Sequence, residues 1–376
     1  MSTIFTIIIF ILVLGLLVLV HELGHFIVAK KSGVSVDEFG FGFPPRIFGK
    51  KIGDTIYSLN WIPLGGFVKI KGVAGDEEQI STTKRDPNSF ATKSFSRKFF
   101  ILFAGIFMNI VFAVVLFSLT FFIGVSTDPT TAERGAHISN QRVVLSAIIP
   151  NSPASESGLK PDDTILSINS QIINSAETFQ QQITQKKEGE PSQLIIQRDQ
   201  EKITIAVASQ RIVYNEQSFI GIGVGLQDIA TISYPWYQSI WEGIKTTGNA
   251  TKQIFISLGL LVKNIFTQGK VGQDLAGPIG IAAITGEVAR LGFVSLLQFM
   301  ALLSINLGIF NLLPIPALDG GRIVFVIIEK IRKKPVNQKI EAIVHNIGFI
   351  FLLLLILLVT IKDISQYQLL QFLYRS

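Results

Sequence analysis

The segment Val20-His21-Glu22-Leu23-Gly24-His25 holds two of the chain's four histidines, four residues apart, with a glutamate beside the first. On a helix this spacing projects both imidazoles from one face, where they can grip one metal ion. Glu22 then lies where a carboxylate can take a proton from metal-polarised water. The chain has no cysteine, so a zinc site must combine His with Asp or Glu. Near the other end, Asp319 is an ionisable group within Asn311-Leu312-Leu313-Pro314-Ile315-Pro316-Ala317-Leu318-Asp319-Gly320-Gly321-Arg322. The bland alternatives are a soluble metal-binding helix, or satisfied core histidines, and an aspartate that caps a helix starting at Gly320.

The elements that must position these groups are membrane helices. Seventeen almost wholly apolar residues, Ile4 to Val20, lead straight into the histidines. Charged or imidazole groups in such a helix cost several kcal/mol unless they are paired or bind metal. Hydrophobic residues make up 48% of the chain, as in a polytopic membrane protein. Further membrane-length runs are Phe99 to Ile123, Phe293 to Phe310 and Ile343 to Ile361. The first run has no basic n-region and no cleavage site, so it reads as a retained span rather than a signal peptide. The net charge of +6 is local, with Lys and Arg crowding Lys30 to Lys98 and Lys330 to Lys339. That is positive-inside patterning, and no nucleic-acid partner is expected. It places both termini outside the cytosol and makes the lipid bilayer a partner. The residues before His21 span about 26 Å of a roughly 30 Å core, so the site lies toward the cytosolic side. Pro314, Pro316 and the glycine pair break a helix at membrane depth, which is tolerated only where freed backbone faces protein or a cavity. Asn109, inside the second run, either bonds across to the first helix or back-bonds within its own.

Between the spans the character changes. Ile56 to Ile70 reads as two short strands around a Pro/Gly turn, whose edge could hold an extended chain by strand addition. Residues 75–98 read as a charged surface loop. From Val143 to Val207 come short period-two strands, an amphipathic helix over Ala176 to Gln185, and a hairpin about Asp199-Gln200. Tyr234-Pro235-Trp236-Tyr237 with Ile240 to Val262 reads as an interfacial amphipathic helix, and Leu275-Ala276-Gly277-Pro278 as a tight break. The expected domains are 1–125, an N-terminal membrane domain; 126–211, a polar α+β insertion; 212–290, an interfacial connector; and 291–376, a C-terminal membrane domain.

The segment Ser152-Pro153-Ala154 through Ser157-Gly158-Leu159-Lys160-Pro161-Asp162-Asp163-Thr164-Ile165 resembles a circularly permuted bacterial PDZ domain. Val143 to Ile148 and Ala176 to Ile183 are then its expected groove walls. With the HELGH motif at one end and Asn-x-x-Pro-x-Pro-x-Leu-Asp-Gly-Gly at the other, the chain resembles the site-2 protease family of intramembrane zinc metalloproteases. The RseP-like, regulator-of-sigma-E members are the nearest in pattern, here with a single PDZ unit.

The resemblance implies a polytopic α-helical membrane protein of about four transmembrane helices, with a membrane-associated β-hairpin and an inserted PDZ domain. It implies that His21, His25 and Asp319 bind Zn2+ and that Glu22 is the catalytic base. Asn311 would help hold substrate or the oxyanion, and Pro314 and Pro316 would bind substrate with it. The implied partners are single-span transmembrane proteins already cut outside, such as anti-sigma factors, or remnant signal peptides. The implied location is the bacterial cytoplasmic (inner) membrane, with the PDZ domain outside. One departure is Ala104-Gly105-Ile106, where relatives often carry Ala-Gly-Pro. The competing reading is a PDZ scaffold with a non-catalytic metal site. Such a site needs a fourth protein ligand, and His137 and His345 are expected to lie away from it.

Overall fold

The computed structural model describes residues 3–73, 86–198, 201–214, 217–268, 277–334 and 336–366. The chain forms two compact units, Met1–Leu119 with Ile240–Ser376, and Thr120–Ser239.

The first helix, α1 (Thr3–Lys31), leaves Ile4, Ile8 and Leu12 exposed and ends on the basic pair Lys30-Lys31. Strands β1 (Val36–Ile52) and β2 (Thr55–Ile70) then build one antiparallel sheet. The expected pair of short strands is corrected: β2 runs unbroken for 16 residues, yet its halves occupy separate places. Phe39 pairs with Tyr57 on one side and Val68 on the other, and Tyr57 pairs with Lys50 as well. The lateral order is therefore 46–52, 55–62, 36–41, 66–70. No strand flanks the outer side of 66–70 among the described residues. Pro44-Pro45 and Pro63 to Gly66 let the two long strands bend between these places.

Next comes α2 (Phe95–Ile123), which passes α1 closely enough that a Cβ on Gly24 would stand 2.8 Å from the Ala104 carbonyl carbon. Such an approach is open only to glycine.

The second unit holds β3 (Val125–Thr127), β4 (His137–Ile148), α3 (Pro153–Glu156), β5 (Thr164–Ile168), β6 (Gln171–Ile172) and α4 (Ala176–Thr184). These are followed by β7 (Pro191–Arg198), β8 (Glu201–Ala208), β9 (Gln210–Tyr214), β10 (Gln217–Gly221) and β11 (Val224–Ser233). The main sheet runs β3-β11-β4-β5-β7-β8, with β6 on β5, while β9 and β10 pair with each other. Its core gathers Val143, Leu145, Ile165, Ile168, Phe179 and Leu194, the inward-facing positions of alternating strands with one helix packed on them. The expected boundary at 211 is corrected. β11 lies between β3 and β4, so residues assigned to a connector supply an interior strand. Ile220, Ile222, Val224 and Leu226 keep a period of two here, but Gly221, Gly223 and Gly225 between them read as turn residues and hide the strand from a sequence reading. Asp199-Gln200, residues 75–85 of the expected loop, and Leu275-Ala276 lie outside the described residues.

α5 (Trp236–Gln268) begins in this unit and continues in the first. The first unit closes with α6 (Pro278–Leu291), α7 (Phe293–Leu312), α8 (Asp319–Arg332) and α9 (Gln338–Gln366). Gly277-Pro278 opens a helix rather than only breaking one. Its first turn is capped from α9, where the buried Asp363 accepts from the N–H groups of Gly277 and Gly280 at 3.1 and 2.8 Å. Among the described residues, four helices are long and apolar enough to cross a membrane: α1, α2, α7 and the Lys339–Ser365 stretch of α9. The architecture is a polytopic helical membrane protein carrying an inserted PDZ unit.

Candidate metal centre

Helix spacing brings His21 and His25 onto one face of α1, both 5% exposed. The opposing group comes from the α7–α8 break. There Ala317 adopts a φ of +79°, and its N–H donates to His345 Nδ1 at 2.8 Å. Gly320 and Gly321 are pressed against the break, since a Cβ on Gly321 would meet the Ile315 carbonyl carbon at 2.9 Å. Asp319 thus enters the first turn of α8 with its carboxylate turned to the histidines. Leu318 is the N-cap and no side chain caps this helix, so the capping alternative for Asp319 is set aside.

The three groups converge. His21 Nε2 lies 2.9 Å from Asp319 Oδ2, His25 Nε2 lies 3.1 Å from it, and the two Nε2 atoms are 3.1 Å apart. A tetrahedral zinc with bonds near 2.05 Å would separate its ligand atoms by about 3.3 Å.

The tautomers agree with a metal. His25 Nδ1 lies 2.7 Å from the Ile101 carbonyl oxygen, which can only accept, so Nδ1 carries the proton and Nε2 presents a lone pair. His21 Nδ1 lies 3.2 Å from the Asn109 amide, whose Oδ1 is buried without a partner. An amide's oxygen and nitrogen are equivalent in shape, and with Oδ1 toward His21 the orphan would accept from Nδ1–H. Both Nε2 lone pairs and a carboxylate oxygen would then point at one another, an arrangement a cation relieves. The donor set fits zinc, with outer partners of the kind that orient metal-binding histidines. No other such cluster occurs among the described residues.

A cavity of about 360 Å³ opens on this point, bordered by Glu22, Asn311, Ala317 and Arg322, and by Phe67, Val68 and Ile70 of the unpaired β2 edge. Asn311 turns its amide N–H back to Leu307 O at 2.9 Å. Pro314 and Pro316 are not on the cavity wall. They shape the break, and Pro316 packs against α9, where a Cβ on Gly348 would meet its carbonyl carbon at 2.8 Å.

The structure brings together His21, Glu22, His25, Asn311 and Asp319, and adds neighbours that residue type alone did not single out. Gly105 is one, because a Cβ there would stand 2.7 Å from His21 Nε2. His345 is another. It was expected away from the site, but it supports the loop that carries Asp319. In the second unit a groove of about 480 Å³ runs between α4 and Ile220 to Leu226. The expected wall Val143 to Ile148 is replaced because β11 lies beside β4.

Residues 9–355 match peptidase family M50. A chain of Clostridium perfringens named as a zinc metalloprotease is 37% identical, over 93% of this chain and 95% of that one. The probable protease eep of Enterococcus faecalis is 33% identical, over 96% and 99% of the two chains. The regulator of sigma-W protease RasP of Bacillus subtilis is 31% identical, over 96% and 98%. Among solved structures, the PDZ domain of an SdrC-like protein from Listeria monocytogenes aligns with 22% of this chain and 85% of its own, at 21% identity and a TM-score of 0.20.

Proposed function

The chain belongs to peptidase family M50 and is a membrane zinc metalloprotease of the site-2 type, and from that premise we propose that it cuts single-span membrane proteins within or beside their transmembrane segments. In this reading His21, His25 and Asp319 hold zinc, which supplies a polarised water at neutral pH. Glu22 takes a proton from the attacking water and returns it to the leaving nitrogen. A transmembrane helix keeps its carbonyls in hydrogen bonds, so the segment must unwind before attack. The observation that carries this reading is the β2 edge at 66–70, which borders the same cavity as Glu22 and has no strand on its outer side among the described residues. An unwound segment can satisfy its backbone there by strand addition.

The substrates proposed are anti-sigma-factor-like proteins already cut outside, and remnant signal peptides. The sigma-W regulator among the relatives favours the first class. The enzyme sits in the bacterial cytoplasmic membrane, its site toward the cytosol and its PDZ groove outside, where it receives trimmed ends. The test is cleavage in liposomes of a model single-span protein with and without its outer domain. Cuts mapped by mass spectrometry should fall within or beside the apolar segment, and faster in the trimmed form. Cuts confined to soluble segments would refute the reading.

A further inference from the structure

Arg322 is a cation that the proposed reaction leaves without a role. It follows Asp319 by three residues, so both side chains leave α8 on neighbouring faces of its first turn. That turn is fixed by the packing of Gly320 and Gly321 against the break and by burial of Ile323 and Val326. At the far end, Lys98 donates to Glu329 at 2.8 Å. Arg322 itself is half-buried on the wall of the cavity that holds Glu22 and Asp319. Among the described residues it has no ion-pair partner within 4.0 Å. A guanidinium on a cavity wall with no close carboxylate can turn its planar fork of donors to an anion in that cavity. It is suited to an anion that exists only during turnover.

Hydrolysis creates such an anion. As the C–O bond forms, the attacking water's proton goes to Glu22 and the carbonyl π pair moves onto oxygen. On collapse the C=O bond is restored, the C–N bond breaks and the proton passes to the leaving nitrogen. The residue expected to hold the oxyanion, Asn311, has its donor turned to Leu307.

Resting on the protease reading, the geometry points to Arg322 as a further catalytic residue, whose N–H groups bind the oxyanion formed at the scissile carbonyl. Donors placed for such charge typically contribute about 10²–10³-fold in kcat.

The full-length protein in liposomes, as wild type, Arg322→Gln and Arg322→Lys, provides the test. Zinc content, kcat and KM on a trimmed single-span helix, and affinity for a phosphinic peptide with apolar side chains, are compared. The expected result for Arg322→Gln is retained zinc, kcat lower by about 10²–10³-fold, KM little changed and phosphinate affinity lower in step. Lysine should recover only part, because it lacks the planar fork. Wild-type kcat in Arg322→Gln, a change confined to KM, or zinc loss in both variants overturns the assignment. If only Arg322→Gln loses zinc, Arg322→Lys decides: phosphinate affinity equal to wild type overturns it, and a weaker affinity supports it. A wild type that binds phosphinate but cuts nothing counts against the protease reading, while the binding comparison still judges Arg322.

Discussion

His25 donates from Nδ1 to the carbonyl oxygen of Ile101 on α2 at 2.7 Å, and this one bond selects the tautomer whose Nε2 faces Asp319. In the proposed site, the ligand atom is therefore set by a neighbour across the helix pair. The same logic applies on the other side of the centre, where Asn109 stands against His21 Nδ1 at 3.2 Å.

Replacing Asn109 with leucine removes the partner that orients His21. Losing an outer partner of a metal-binding histidine typically lowers affinity by about 10–100-fold. Chelator competition should show that loss for zinc, with helix content by circular dichroism unchanged. Wild-type zinc affinity would contradict the role.

Gly105→Ala should be far more damaging than its size suggests. The new Cβ would stand 2.7 Å from His21 Nε2 and closer still to His25 Nε2, so the ligands must move. Zinc and activity should both be lost. Gly248→Ala on α5, where nothing lies within 4 Å of a Cβ, is the matched control and should be neutral.

The β2 edge makes a positional prediction. Successive N–H groups on a strand point to opposite sides, so Phe67→Pro and Val68→Pro separate the outward donor from the one that pairs with β1. The outward substitution should abolish cleavage of a helical substrate and spare a short extended peptide. Proline at Phe48, on the opposite margin of the sheet, should leave both rates intact. Equal rates on the helical substrate for all three variants would rule out strand addition.

In the PDZ unit, burial works against the charge of Asp163. Two bonds of 2.7 Å from Arg198 and one of 2.8 Å from the Lys160 N–H nevertheless hold its carboxyl below the usual range. A depressed folded pKa gives stability that is present above the unfolded value, about 3.9, and lost as pH falls through the folded one. Amide exchange in β5 and β7 should therefore quicken as pH drops below about 4, after correction for the intrinsic rate. Arg198→Met should destabilise this unit at pH 7 by about 3 kcal/mol, because it strands a buried carboxylate. No change in protection would refute the argument.

Much of the centre was legible from residue type and spacing, because the i, i+4 histidines and the Asp-Gly-Gly break carry their chemistry locally. The spans were legible because apolar length is itself the physical requirement. What escaped depends on partners distant in the chain. Nothing near His345 signals that it faces Ala317, and Gly105 differs from any other helical glycine only in what passes it. The double use of β2 escaped because both halves read as strand and only the fold decides which edge stays open. The role of β11 escaped because Gly221, Gly223 and Gly225 read as turn residues, although the apolar positions between them alternate.

The most direct measurement pairs zinc content with cleavage in Glu22→Gln. Glu22 borders the cavity but is not among the three converging ligands, so the variant should retain zinc at the wild-type ratio. It should also lose cleavage of a trimmed single-span substrate in liposomes by several orders of magnitude. Cleavage at a wild-type rate with zinc bound would contradict the assignment of Glu22 as the base, and with it the account of this centre as a hydrolytic site.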